Sequence, residues 1–87
     1  MAPSIEEFRR ALAKLVEAGE ELGFVAVDVN AGNLHRRVGG YPGEDHRMPM
    51  CCEAMRQAAT SDDVVVSEPP SGQGASLTIR YRLPRRK

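Results

Sequence analysis

The chain has 87 residues, enough for one domain around one hydrophobic core. Its 12 basic and 12 acidic side chains cancel, so it has no global field that would steer it to nucleic acid or to an anionic membrane. No apolar run approaches the ~20 residues that span a bilayer, and the acidic N-terminal segment lacks the pattern of a secretory signal. Two adjacent cysteines, Cys51 and Cys52, cannot build a disulfide framework. We therefore expect a cytoplasmic protein that does not contact membranes.

The first predicted element is an amphipathic helix from Ser4 to about Leu22. Ser4 and Glu7 have the spacing of a capping box, and Gly23 is a typical helix stop. Apolar side chains recur at steps of three and four residues, which places them on one face: Ile5, Phe8, Leu12, Leu15 and Val16.

A strand and a second helix are predicted next. Residues 24–29 are β-branched and roughly alternating, which indicates a short strand with one face formed by Val25, Val27 and Val29. Asn30 can cap a helix over residues 31–38, which the glycine pair Gly39-Gly40 would end. Residues 41–46 are a loop by their Pro and Gly content.

A third helix is predicted from Pro49 to about Ala59, because proline is favoured in the first turn. Its apolar stripe, interpreted as core, contains Met48, Cys52, Met55 and Ala59, flanked by Cys51 and Ala58. The far side of this helix carries Met50, Glu53 and Gln57.

The last third predicts a β-hairpin. One strand covers residues 63–67, and the other covers 76–83, in which apolar residues alternate with Thr78, Arg80 and Arg82. The connecting loop, residues 68–75, is long and rich in Pro and Gly, so we expect it to protrude. Residues 84–87 form a short basic tail. The sequence thus predicts a single α+β domain over residues 1–87, with three helices packed on a small antiparallel sheet.

The order helix, strand, helix, helix, strand, long loop, strand resembles the winged-helix superfamily. The resemblance implies that the third helix enters the major groove of DNA while the hairpin loop, the wing, touches the backbone. One departure is the stretch from Gly39 to Arg47, which is longer than the usual turn of 3–4 residues between the second and third helices.

Two central stretches, residues 39–55 and 72–81, also resemble small bacterial proteins of unassigned function. This second resemblance implies a bacterial cytoplasmic source. It implies no activity and no role for any residue.

The charges are distributed unevenly along the chain. Residues 1–30 carry a net charge of −3, and residues 31–87 carry +3. On a winged helix bound to DNA, this polarity would turn the first helix away from the phosphates. Gln57 could hydrogen-bond adenine, and Gln73 lies in the loop. The predicted DNA contacts are Arg36, Arg37, Arg47, Arg56, Gln57, Gln73, Arg80 and Arg82. Because a monomer would bind weakly, we expect a homodimer or a larger protein partner.

Two other interpretations remain open for these residues. The arginines could form an ordinary solvated surface, with Arg80 and Arg82 protecting an edge strand from aggregation. Alternatively, the domain could be a protein-interaction module, because zero net charge and the Met50 and Glu53 side chains on the third helix suit a protein contact better than a phosphate. A co-purified partner or a large exposed apolar patch would favour that alternative.

Little in the chain points to catalysis or metal binding. Cys51 and Cys52 diverge by about 100° on a helix, so both cannot easily bind one metal ion, and spaced pairs typical of zinc sites are missing. A thiolate near the start of the third helix, beside Arg47, is a further possibility that would make the cysteines a redox sensor. The chain contains no phosphate-binding glycine loop and no hydrolase or metalloprotease motif, so we expect no enzyme, cofactor or metal site.

Overall fold

The computed structural model describes residues 3–43 and 46–85. The elements in chain order are α1 (Ile5–Glu21), β1 (Ala26–Asn30), α2 (Ala31–Val38), α3 (Met48–Ala58), β2 (Val64–Ser67) and β3 (Thr78–Arg82). The predicted α+β class and the predicted order of elements are confirmed. No helix in this part of the chain is long and apolar enough to cross a membrane.

Local sequence signals determine where the helices begin and end. Ser4 and Glu7 form the predicted capping box at the start of α1, and the Asn30 side chain accepts a hydrogen bond of 3.1 Å from the Asn33 amide at the start of α2. Gly23 follows α1 with a φ of 78°, a left-handed conformation that glycine adopts readily. All three caps were predicted from the sequence.

The three strands form one antiparallel sheet in the order β1-β3-β2. Along and beside the central strand β3, side chains alternate between the two faces of the sheet. The inner face buries Leu77, Ile79, Tyr81 and Leu83, and the outer face exposes Arg80 and Arg82. This alternation is the one predicted, and it leaves the outer face free of any covering helix within the described residues.

The three helices pack on the inner face of this sheet. Tyr81 is fully buried, and its hydroxyl donates a hydrogen bond of 2.8 Å to the Met55 carbonyl oxygen in α3. Phe8 and Leu12 of α1 and Leu34 of α2 complete the core around it. Of the predicted stripe, Met48, Cys52 and Met55 are buried, and Ala59, which follows the last residue of α3, is half-buried. Of the predicted flank, Cys51 is buried and Ala58 is exposed.

The first strand begins two residues later than predicted. Val25 was expected on the same strand face as Val27 and Val29, but it precedes the strand and is 81% exposed, whereas Val29 is buried. The cause is the end of α1, where the Phe24 amide donates to the Gly19 carbonyl and draws this segment into the helix-terminating turn. Phe24 and Val25 therefore remain on the surface.

The loop over residues 68–75 does not protrude, contrary to prediction. Its Pro69 is buried, and the carbonyl oxygens of Gly72 and Gly74 accept hydrogen bonds from Arg56 and Cys52 of α3. The Ala75 carbonyl also accepts a bond of 3.1 Å from the amide of Gly32 in α2. Unsatisfied carbonyls at a loop of this length find donors on the adjacent helices, so the loop folds against them.

A buried carboxylate joins the end of the sheet to the helices. The Asp63 side chain is 1% exposed and accepts hydrogen bonds from the amides of Thr60 and Arg82 and from the Arg85 guanidinium, at 2.7, 2.8 and 2.7 Å. Arg85 in turn donates to the Ala58 carbonyl at the end of α3. The predicted basic tail is thus anchored at its second residue, while residues 86 and 87 lie outside the described part of the chain.

We expect Asp63→Asn to lower the free energy of unfolding by about 3 kcal/mol, because the substitution leaves a largely buried guanidinium without its anion. Urea denaturation at neutral pH measures the change. The matched control is Asp62→Asn at the exposed neighbouring carboxylate, for which we expect a change within about 0.5 kcal/mol. Equal stabilities of the two variants would contradict the role assigned to Asp63.

The same carboxylate should make stability depend on pH. Burial alone would raise the pKa of Asp63, but the hydrogen bonds from Arg85, Arg82 and Thr60 outweigh burial and lower it. Since the folded-state pKa lies below the unfolded one, the contribution of Asp63 is present above about pH 4 and is lost as the pH falls further. The stability difference between wild type and Asp63→Asn should therefore shrink in acid, and a difference independent of pH would contradict this.

Candidate nucleic-acid interface

The exposed side of α3 carries the polar residues predicted to contact DNA. Glu53, Arg56 and Gln57 are exposed, whereas Cys51 and Cys52 of the same helix are buried. Met50, predicted on this far side, is only half-exposed and packs against the core. The surface that α3 offers to a ligand is therefore polar and contains one acid beside one base.

Arg56 is held at the seam between α3 and the loop over residues 68–75. Its guanidinium forms an ion pair with Glu68 and donates a hydrogen bond of 2.8 Å to the Gly72 carbonyl. Both side chains of the pair remain partly exposed, so the interaction is screened by solvent. Part of the charge of Arg56 is thus already neutralised within the protein.

Three of the predicted contacts come together at this seam. Gln57 and Gln73 lie beside Arg56 around a shallow depression that Cys52 and Glu53 also line. The Gln57 side-chain oxygen accepts a hydrogen bond from Arg9 of α1, which leaves its amide nitrogen to donate. The seam therefore offers mixed donors and acceptors, with no excess of positive charge.

A second group of predicted contacts lies where α2 leads into α3. Arg36 and Arg37 are exposed in the last turn of α2, and the Arg36 guanidinium lies over the Tyr41 ring, 5.2 Å from its centroid. Arg47 is the residue before α3, and its side chain donates a hydrogen bond of 3.1 Å to the His46 carbonyl. The connection over residues 39–47 is as long as predicted, with residues 44 and 45 outside the described part.

A buried histidine holds this connection in place. His35 is fully buried, and its Nε2 accepts a hydrogen bond of 2.8 Å from the Arg47 amide. Its ring packs edge-on against Phe8, with the ring centroids 4.8 Å apart. Because it is buried, His35 cannot contact a phosphate directly.

Arg80 and Arg82 lie apart from the other predicted contacts. They project from the outer face of the sheet, whereas Tyr81 between them points to the inner face and bonds to α3. Arg80 also forms a two-point ion pair with Asp28, at 2.7 and 3.1 Å. The hydrogen bonds from Arg80 lower the pKa of the Asp28 carboxyl. The sheet thus separates these two arginines from Arg56 and Gln57.

Sequence reasoning missed two basic residues of α1. Arg10 and Lys14 lie beside Arg37 along the groove between α1 and α2. Because the sum of charges in the first 30 residues is negative, the whole helix was interpreted as acidic. The signal that could have revealed them is their spacing of four residues, which places both side chains on one face of a helix.

The two cysteines are core residues. Cys51 and Cys52 are both fully buried, and their thiols donate to the carbonyl oxygens of Ala31 and Gly74, each at 3.5 Å. Burial raises the pKa of Cys51 to about 12, and burial also raises that of Cys52. Burial therefore opposes the thiolate that the sequence left as a further possibility, and the packed position of both side chains agrees with their interpretation as core.

Within residues 3–43 and 46–85, no three His, Cys, Asp or Glu side chains are grouped closely enough to hold a metal ion. No family model, curated protein or solved structure matches this chain significantly. The functional argument therefore rests on the arrangement of its own residues.

We expect neither cysteine of the folded protein to react with Ellman's reagent at mildly alkaline pH, because both thiols are buried and protonated. The same protein in denaturant should release two equivalents of the chromophore per chain. Fast labelling of the folded protein would instead reveal an accessible thiol and would revive a redox role.

Proposed function

We propose that this protein is a small winged-helix-like domain that binds duplex DNA, with the exposed side of α3 toward the major groove. The interface would combine Arg56, Gln57 and Gln73 at the α3 seam with Arg36, Arg37 and Arg47, where α2 leads into α3. The DNA would be recognised by shape and backbone charge first, and by the few polar groups of α3 second.

The observation that carries the proposal is the arrangement of the sheet and helices. Three helices pack on one face of an antiparallel sheet in the order β1-β3-β2, and α3 presents a polar side to solvent after a helix with a basic last turn. This layout is compatible with a winged helix, in which the helix before the recognition helix crosses the DNA backbone.

The position of Arg80 and Arg82 narrows the proposed interface. A duplex seated on α3 lies on the inner side of the sheet, whereas these two side chains project from the outer face. We leave them out of the contact with the same duplex. Because the loop over residues 68–75 folds back against the helices, it extends less far toward the DNA than a protruding wing would. The proposed contact area is correspondingly smaller.

We expect the protein to bind a mixed-sequence duplex at about 50 mM salt and to lose most of that affinity by about 200 mM, because phosphate contacts release counterions. Fluorescence anisotropy measures both. Glu53→Gln should tighten binding about threefold, since it removes a carboxylate from the exposed side of α3. Glu21→Gln removes the same charge from the last turn of α1 and is the control; equal effects of both variants would contradict contact through α3.

A second candidate function is protein–protein interaction, favoured by apolar side chains on the surface. Leu22, Phe24 and Val25 are 69%, 54% and 81% exposed within four residues of the chain. Large exposed apolar groups of this kind are typical of contact surfaces. Their position after α1 would also suit the homodimer or larger partner expected from the sequence.

Light scattering after size-exclusion chromatography separates the two candidates. A dimer of wild type that becomes monomeric in Phe24→Ser/Val25→Ser, together with no DNA binding at low salt, would favour protein interaction. A monomeric wild type that binds duplex DNA would favour the first candidate.

A further inference from the structure

The groove between α1 and α2 gathers three cations on a partly apolar floor. Arg10 and Lys14 of α1 face Arg37 of α2, and the floor between them contains Ala11 and Val38, which pack against the core. One carboxylate, Glu7, also lines the groove, but it accepts hydrogen bonds from the amide and hydroxyl of Ser4 in the capping box. The groove thus carries a net excess of positive charge.

Within the described residues, the three cations of this groove are not engaged in ion pairs, unlike four other arginines of the structure. Arg9, Arg56, Arg80 and Arg85 each form an ion pair with a carboxylate of the described residues. Arg10, Lys14 and Arg37 form none there, although the chain holds as many acids as bases. The groove therefore holds more positive than negative charge, and none of its three cations is paired with a described carboxylate.

The three unpaired cations repel one another, and a bound anion would relieve that repulsion. Like charges at positions i and i+4 destabilise a helix, which applies to Arg10 and Lys14. Arg37, approaching from another element, adds to the repulsion. A bound anion would convert this repulsion into attraction, and arginine guanidinium groups match phosphate oxygens geometrically.

We propose that Arg10, Lys14 and Arg37 form a groove that binds the phosphate backbone of a nucleic acid. The proposal rests on the proposed DNA-binding function for the identity of the polyanion, because Arg37 also belongs to the DNA interface proposed above. It reverses the expectation that the first helix turns away from DNA: the helix is acidic in sum, but one of its faces is basic. The groove extends the contact beyond α3 and fixes the orientation of the domain on the duplex.

The test compares two variants that each lose two exposed cations. The groove variant, Arg10→Gln/Lys14→Gln, changes residues that only this proposal assigns to DNA, and Arg80→Gln/Arg82→Gln removes two arginines from the outer face of the sheet. Binding to a mixed-sequence duplex is measured by anisotropy over a range of salt concentrations. We expect the slope of log K against log salt to become shallower by about 1.8 for the groove variant, since each phosphate contact contributes about 0.9. Adding Arg37→Gln should bring the change to about 2.7.

The sheet-face variant should keep the wild-type slope. A groove variant with the wild-type slope would overturn the phosphate groove, whatever α3 does. The Glu53→Gln variant reports on α3 independently: if it has no effect while the groove variant does, the α3 interface fails and the groove stands. Failure of wild type to bind any duplex at low salt would overturn both.

Two further measurements identify the ligand and exclude misfolding. An oligoglutamate of equal charge distinguishes phosphate from carboxylate, and wild-type binding to it with the same salt slope as to DNA would overturn the phosphate assignment in favour of an acidic protein segment. The groove variant should melt at or above the wild-type temperature, because it relieves like-charge repulsion. A lower melting temperature would contradict the uncompensated charge on which the proposal depends.

Discussion

The hydrogen bonds and the ion pair of the buried Asp63 carboxylate are the interactions on which the arrangement of sheet and helices depends most. It fixes the turn after α3 through Thr60, the end of β3 through Arg82, and the chain beyond the sheet through Arg85. Arg85 then reaches the end of α3 and the side chain of Glu20 in α1. One buried anion with every hydrogen bond satisfied thus specifies how the edge of the sheet meets the helices, which apolar packing alone leaves less defined.

The sequence could predict the elements because their signals are local. The capping box at Ser4, the Asn30 cap and the alternation along β3 each depend on residues within a few positions of one another. The folded-back loop could not be predicted, since it is held by α3 donors such as Arg56 and Cys52, more than ten positions away. The Asp63–Arg85 pair was missed for the same reason, and the C-terminal residues therefore read as a free tail.

The candidate site was predicted in part, and the limit is again long-range pairing. A list of arginines does not reveal that Arg80 faces Asp28 or that Arg56 faces Glu68, and each such pair reduces the charge available to a ligand. Conversely, the packing of α1 on α2 brings Arg10 and Lys14 next to Arg37. The net charges along the sequence had instead predicted that α1 faces away from DNA and that Arg37 faces it. Among the described residues, positive charge without an ion pair is therefore present in the groove between the two helices, in addition to Arg82 on the sheet.

A net charge of zero is therefore compatible with binding a polyanion. Within a Debye length of about 8–10 Å, a phosphate responds to the nearest charges and only weakly to the sum over the protein. A groove with three unpaired cations would attract it, while the exposed acids at the end of α1 repel it and so orient the approach. Such a domain would bind weakly and with strong salt dependence, because few contacts contribute. Its specificity would then depend on the mixed polar side of α3, where Glu53 opposes incorrect backbone contacts and Gln57 remains able to donate.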